Sequence, residues 1–158
     1  MRIRLRPYHP TWITAFLGAG GMKEGYNKRG FDYVLDQIRR EPNLEVEFVE
    51  CHDDVCERCD RRVESERGCV WGKRHTCTSA ENPKVVASVQ TANRQVLQLL
   101  GLKFGSVIRL QDLAKLLAER LPDLGKSGIG EIGGPTYQEH YRRGLAELRT
   151  LGKQDKSV

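Results

Sequence analysis

The stretch Leu44-Glu-Val-Glu-Phe-Val-Glu-Cys-His-Asp-Asp-Val-Cys-Glu-Arg-Cys59 decides how this chain is read. In its first half Leu44, Val46 and Phe48 alternate with Glu45 and Glu47. Successive strand residues face opposite sides, so this alternation gives one apolar and one acidic face, a strand lying on a core. The second half reads C-x4-C-x2-C and closes on Cys56-Glu-Arg-Cys59. Two thiolates three positions apart can turn onto one metal ion or cluster without distorting the backbone between them. A core strand therefore delivers the chain directly into a candidate metal-binding loop.

Downstream, Cys69 and Cys77 complete a set of five cysteines confined to residues 51–77, and the chain has no others. From Cys51 to Asn82 the residues are mostly polar, with Gly68 and Gly72 and no sustained period. A loop of that length is unusual in a compact domain unless something other than a core orders it, and a metal would do so. Cys56, Cys59, Cys69 and Cys77 supply four thiolates, a set that suits tetrahedral zinc and an iron-sulphur cluster alike. The irregular spacing, nine and seven residues after the CxxC, leans toward iron-sulphur. Cys51 completes a ferredoxin-like C-x4-C-x2-C run, but the intervening residues lack the glycines that let such a loop wrap a cluster. Cys51, His9, His52 and His75 are the alternate ligands, each set against an ordinary surface or supporting role. Asp53 and Asp54 read as turn or cap residues before they read as a catalytic carboxylate pair. Trp71 reads as a loop anchor or a shield for the metal.

Upstream, Ile3 and Leu5 alternate with Arg2, Arg4 and Arg6, predicting a short strand that Pro7 ends. Its Arg-rich face and the Glu-rich face of the 44–50 strand would pair favourably side by side, in a two-stranded sheet. Trp12, Ile13, Phe16 and Leu17 predict a short helix stopped by the glycines at 18, 20 and 21. Phe31, Val34, Leu35 and Ile38 predict an amphipathic helix, capped by Asn27 and ended near Pro42. Asn82-Pro83 opens a helix with the stripe Val85, Val89, Ala92, Val96 and Leu99, ending at Gly101. A further helix runs from Leu110 through Leu113, Leu116, Leu117 and Leu121 to Pro122. Residues 125–134 hold five glycines in ten positions, a connector of little packing continuity. Thr136-x-x-Glu139 reads as a capping box opening a last helix with Tyr137, Tyr141, Leu145 and Leu148 on one face.

The expected fold is thus α+β: a mostly helical single domain with a small two-stranded sheet and a cysteine-rich metal-binding loop at 51–77. The main unit spans 1–122, a glycine-rich linker 123–135, and a C-terminal helix and tail 136–158. The 158 residues suffice for one core, and the net charge of +5 is spread among 21 acidic residues, so nucleic acid is not indicated. No stretch approaches the length of a membrane span and the first residues lack a secretory apolar region, so a cytoplasmic location is expected. In a reducing compartment five clustered cysteines read as ligands with one thiol to spare, not as disulfides. Gly125-Lys126-Ser127 is not a phosphate-binding loop, because Arg120 stands where its first glycine is required and a helix precedes it. No Ser/His/Asp elbow, HExxH or dinucleotide fingerprint occurs, so an enzyme has the least support.

Together, Arg4-Leu-Arg-Pro-Tyr-His9, Gly25-Tyr26, Asp53-Asp-Val-Cys56 with Cys59, and Leu97-Gln-Leu-Leu-Gly-Leu102 followed by Gly105 resemble a small prokaryotic family. This is domain-of-unknown-function family 1284, whose members are commonly labelled iron-sulphur-binding proteins, and the resemblance covers about residues 2–110. It implies an iron-sulphur cluster as cofactor and a protein redox partner, with electron transfer or redox sensing as the role. The alternative is a structural zinc protein that binds another protein or RNA. The family typically reads Arg-Pro-His-His-Leu-Leu-Cys where this chain has Arg6-Pro-Tyr-His-Pro-Thr-Trp12. His9 is kept and the cysteine has become Trp12. The resemblance makes Cys77 the match for the family's last cysteine, Cys69 the replacement for the one lost at Trp12, and Cys51 the spare thiol.

Overall fold

A computed structural model describes residues 1–24, 28–41, 43–50, 52–59, 62–63, 68–69, 83–124 and 134–151. The elements follow as β1 (Arg2–Leu5), α1 (His9–Gly18), α2 (Lys28–Arg40), β2 (Glu45–Phe48), α3 (Asp54–Glu57), β3 (Arg62–Val63), β4 (Gly68–Cys69), α4 (Pro83–Leu100), β5 (Val107–Arg109), α5 (Leu110–Arg120) and α6 (Gly134–Leu151). The fold is α+β and mostly helical, as expected.

The sheet has three strands, not two, in the order β1-β2-β5. β1 and β2 are parallel, joined through α1 and α2, with Arg2 opposite Glu45 and Arg4 opposite Glu47. The expected pairing of the Arg and Glu faces is present as Arg2 to Glu45 at 3.1 Å and Arg2 to Glu47 at 3.9 Å. These pairs are exposed, worth at most about 1 kcal/mol each, and serve register more than stability. β5 joins β2 antiparallel, with Ile108 opposite Val46. Three residues that run without a break into α5 are too short to show a period of two in sequence, and the ladder that makes them a strand belongs to β2.

Ile3, Leu5, Val46 and Phe48 are buried in one core cluster with Ile13 and Leu17 of α1, Val34 and Leu35 of α2, and Leu113 and Leu117 of α5. Full burial of each such side chain stabilises by about 1.5–3 kcal/mol. The buried residues of α2 are Phe31, Val34, Leu35 and Ile38, the stripe read from its spacing, together with Gly30. In α4 the stripe is turned from the expected one. Among its described side chains Asn93, Val96, Leu97 and Leu100 are buried and Leu99 is exposed. Asn93 holds a buried place because its Oδ1 accepts the Tyr8 N–H at 3.2 Å. α4 ends in a Schellman turn at Gly101, φ +68°, where Leu102 N–H reaches Leu97 O at 2.9 Å and Gly101 N–H reaches Gln98 O at 3.2 Å.

The last helix is packed into the core. α1 against α6 is the most extensive helix contact among the described residues. Tyr141 is fully buried, Leu148, Leu145 and Tyr137 nearly so, and Tyr141 Oη donates to Leu121 O at 2.9 Å. The helices meet backbone to backbone. A Cβ on Gly144 would fall 1.7 Å from Thr14 O, and one on Gly18 would fall 1.9 Å from His140 O. Arg143 then closes α1 by donating to Gly18 O from two nitrogens, at 3.0 and 2.6 Å. α6 begins at Gly134, so Thr136 lies inside its first turn and not at the cap. Of the 123–135 linker, residues 125–133 lie outside the described residues, as does the Asn27 cap, while Leu124 is buried.

Candidate metal centre

α3 is a single turn, and Asp53 is what makes it one. The Asp53 Oδ1 accepts the Cys56 N–H at 3.0 Å, the side-chain cap expected of an aspartate at that position. The other oxygen, Oδ2, accepts the backbone N–H of Arg6 at 2.9 Å and pairs with His9 Nδ1. Asp54 works beside it, its Oδ2 accepting the Arg4 N–H at 2.8 Å. β1 is an edge strand, so the N–H groups of Arg4 and Arg6 point away from β2 and need partners. Two consecutive aspartates supply them. The reading of Asp53 as a cap residue is thereby met, and the capture of the β1 edge by both aspartates is added to it.

This clamp assembles a buried polar cluster of Arg6, His9, Asp53 and Cys56. Asp53 is 0% exposed and His9 2%. The Arg6 Nη2 lies 3.2 Å from His9 Nε2 and donates to Cys56 Sγ at 3.3 Å, while its Nε stands 3.9 Å from Asp53 Oδ2. The Arg6 guanidinium rests over the Tyr8 ring, 5.1 Å from the centroid. The His9 ring meets Phe31 edge to face at 5.4 Å. Gly30 lets α2 reach α3, since a Cβ there would fall 2.1 Å from Val55 O. Arg58, between the two cysteines, lies over Tyr33 of α2 at 3.4 Å, a further contact worth about 0.5–1 kcal/mol.

The charges in the cluster follow from burial and neighbours. Burial alone would raise the Asp53 carboxyl, but the His9 ring, and after it Arg6, hold it well below the usual carboxylate range. Burial lowers His9 despite the opposing pull of Asp53, so the ring stays neutral at neutral pH. The Cys56 thiol is pushed up to about 12 by burial and then by the Asp53 charge. The Tyr8 hydroxyl rises to about 12, chiefly through burial. In these surroundings Cys56 keeps its proton at neutral pH.

Of the expected ligands, Cys56 and Cys59 are half-buried, with the Cys59 N–H donating to Cys56 O at 3.1 Å. The β3–β4 ladder sets the backbone of Arg62, three residues after Cys59, opposite that of Cys69. His9 is brought to the cluster, and His52, half-buried with φ +27°, directly precedes Asp53. Cys51, Trp71, His75 and Cys77 lie outside the described residues. Among the described residues no three His, Cys, Asp or Glu side chains converge as a ready metal cage. Trp12 packs against Tyr137 of α6 with ring centroids 4.7 Å apart. Sequence reading placed Arg6 on the first strand and not in the site. The signal available was an arginine directly before Pro7, at the end of an otherwise strand-like run.

The family described as Protein of unknown function (DUF1284) matches residues 24–127, a span that holds α2 to α5, the CxxC and the hairpin, and not β1. No curated protein matches the chain, and no solved structure matches it.

Proposed function

We propose that this chain, which belongs to the DUF1284 family, is a cytoplasmic iron-sulphur protein whose cluster is held by Cys56, Cys59, Cys69 and Cys77. The observation that supports the reading is the register of Arg62 with Cys69, which pairs the backbone three residues after Cys59 with that of a further cysteine, beside a CxxC whose first member is fixed by the Asp53 cap. Thiolates are the donors that soft iron-sulphur and zinc centres select, so the residues suit the group. When bound, a cluster would supply one-electron chemistry to a protein redox partner. The chain's own part is to orient and tune. Asp53 fixes Cys56 through its N–H, Arg6 donates to the Cys56 sulphur, and hydrogen bonds and positive charge at a cluster sulphur both raise its potential.

Anaerobic purification with iron and acid-labile sulphide analysis tests this. Brown protein with broad absorbance at about 400 nm and iron matched by sulphide is expected. Colourless protein with about one zinc per chain would overturn it and favour a structural zinc module that binds protein or RNA, whose loop chelation should loosen.

A further inference from the structure

We propose that the place held by the Arg6 Nη2 is a cation site, with His9 Nε2 as its nitrogen ligand and Cys56 as its sulphur ligand, and that a metal enters by displacing Arg6. It rests on reading Cys56 as a ligand and adds His9 to that reading as a nitrogen donor.

The geometry fixes the tautomer. A guanidinium only donates, so His9 Nε2, 3.2 Å from Arg6 Nη2, accepts. The ring proton is then on Nδ1, donated to Asp53 Oδ2. A buried carboxylate holding Nδ1–H so that the Nε2 lone pair faces one point is how ligating histidines are oriented in metalloproteins. Asp53 is itself held by the Arg6 and Cys56 N–H groups, and Phe31 fixes the ring plane. The Cys56 sulphur faces the same point from 3.3 Å. The protein thus aims an imidazole lone pair and a sulphur at one place and fills it with positive charge.

A borderline-soft divalent ion suits that donor pair better than a guanidinium. Entry requires each donor to close in by about 1 Å, from hydrogen-bond to coordination distance. Arg6 leaves toward solvent, to which its side chain is 11% exposed. Cys56 releases its thiol proton to water and no electron moves. The cluster is neutral before, as guanidinium with the Asp53 carboxylate, and neutral after, as a dication with that carboxylate and one thiolate.

The test uses the full-length metal-free protein, titrated anaerobically with cobalt(II), and X-ray absorption of the zinc-loaded protein. A sulphur shell with one imidazole, marked by outer-shell ring scattering, is expected. His9→Gln should lose the imidazole signature, keep sulphur ligation and bind zinc at least roughly tenfold more weakly, while His52→Gln changes neither. Arg6→Gln should bind cobalt several-fold more tightly. An all-sulphur shell in the unsubstituted protein overturns the His9 assignment and leaves the thiolate centre standing, whereas no uptake of cobalt or zinc overturns both. Loss of the imidazole in His52→Gln, or unchanged cobalt affinity in Arg6→Gln, also overturns the proposal, and the latter decides even if His9→Gln fails to fold.

Discussion

Asp53 and Arg6 lie 47 positions apart and meet twice, the carboxylate accepting the Arg6 backbone N–H at 2.9 Å and facing its guanidinium Nε at 3.9 Å. One side chain thus joins the edge of the sheet to the turn that carries the CxxC. Because the same carboxylate orients His9 and caps α3, sheet edge, imidazole and thiol are positioned together.

Replacing Asp53 by alanine should therefore cost about 3–5 kcal/mol, since it strands the Arg6 charge and the donors of His9 and Cys56 inside the protein. Asp53→Asn keeps an acceptor and should cost less. Urea denaturation of the two variants measures this, and an alanine variant within 0.5 kcal/mol of the parent, a spread typical of surface substitutions, would remove Asp53 from the centre of the fold.

Stability of the metal-free protein should fall on both sides of neutrality. The folded state holds His9 neutral and Asp53 ionised, so the unfolded chain binds more protons in acid. Stability is complete above about pH 6.5 and declines below it as an unfolded histidine protonates, then more steeply below about pH 4 as an unfolded aspartate does. In alkali the folded state retains the Cys56 proton, with its thiol at about 12, while the unfolded thiol loses it above about pH 8.5. Urea midpoints from pH 3 to 10 should trace this dome, and a flat profile from pH 7 to pH 4 would contradict it.

Gly144→Ala and Gly18→Ala should each destabilise by about 1–3 kcal/mol, because the added methyl meets backbone and not a movable side chain. The pair shares one contact, so the double variant should cost less than the sum. Removing residues 134–158 should give insoluble protein, since it uncovers α1 and the Tyr141 site. A soluble, cooperatively unfolding truncation would show that the rest of the core closes without α6.

Across single Cys→Ser variants, iron content should be lost at Cys56, Cys59, Cys69 and Cys77 and kept at Cys51. Retention in Cys69→Ser with loss in Cys51→Ser would replace the hairpin set by the C-x4-C-x2-C run.

The sequence by itself determined the elements whose apolar residues recur at a fixed period. The β1 and β2 alternations and the α2 stripe stand where the periodicity put them, because burial of one face is a local property of spacing. It also marked Cys56 and Cys59 as a pair and Asp53 as a cap, both matters of residues three apart. Only the tertiary structure decided the rest. β5 is a strand through its ladder with β2, and Asn93 is buried through a bond to Tyr8, 85 positions away. Gly18 reads as a helix stop, yet it is where the backbone of α1 touches that of α6 at Gly144. Arg6 and His9 joined Cys56 because two aspartates pin the edge of β1, a contact between segments about 50 residues apart that no local period can encode.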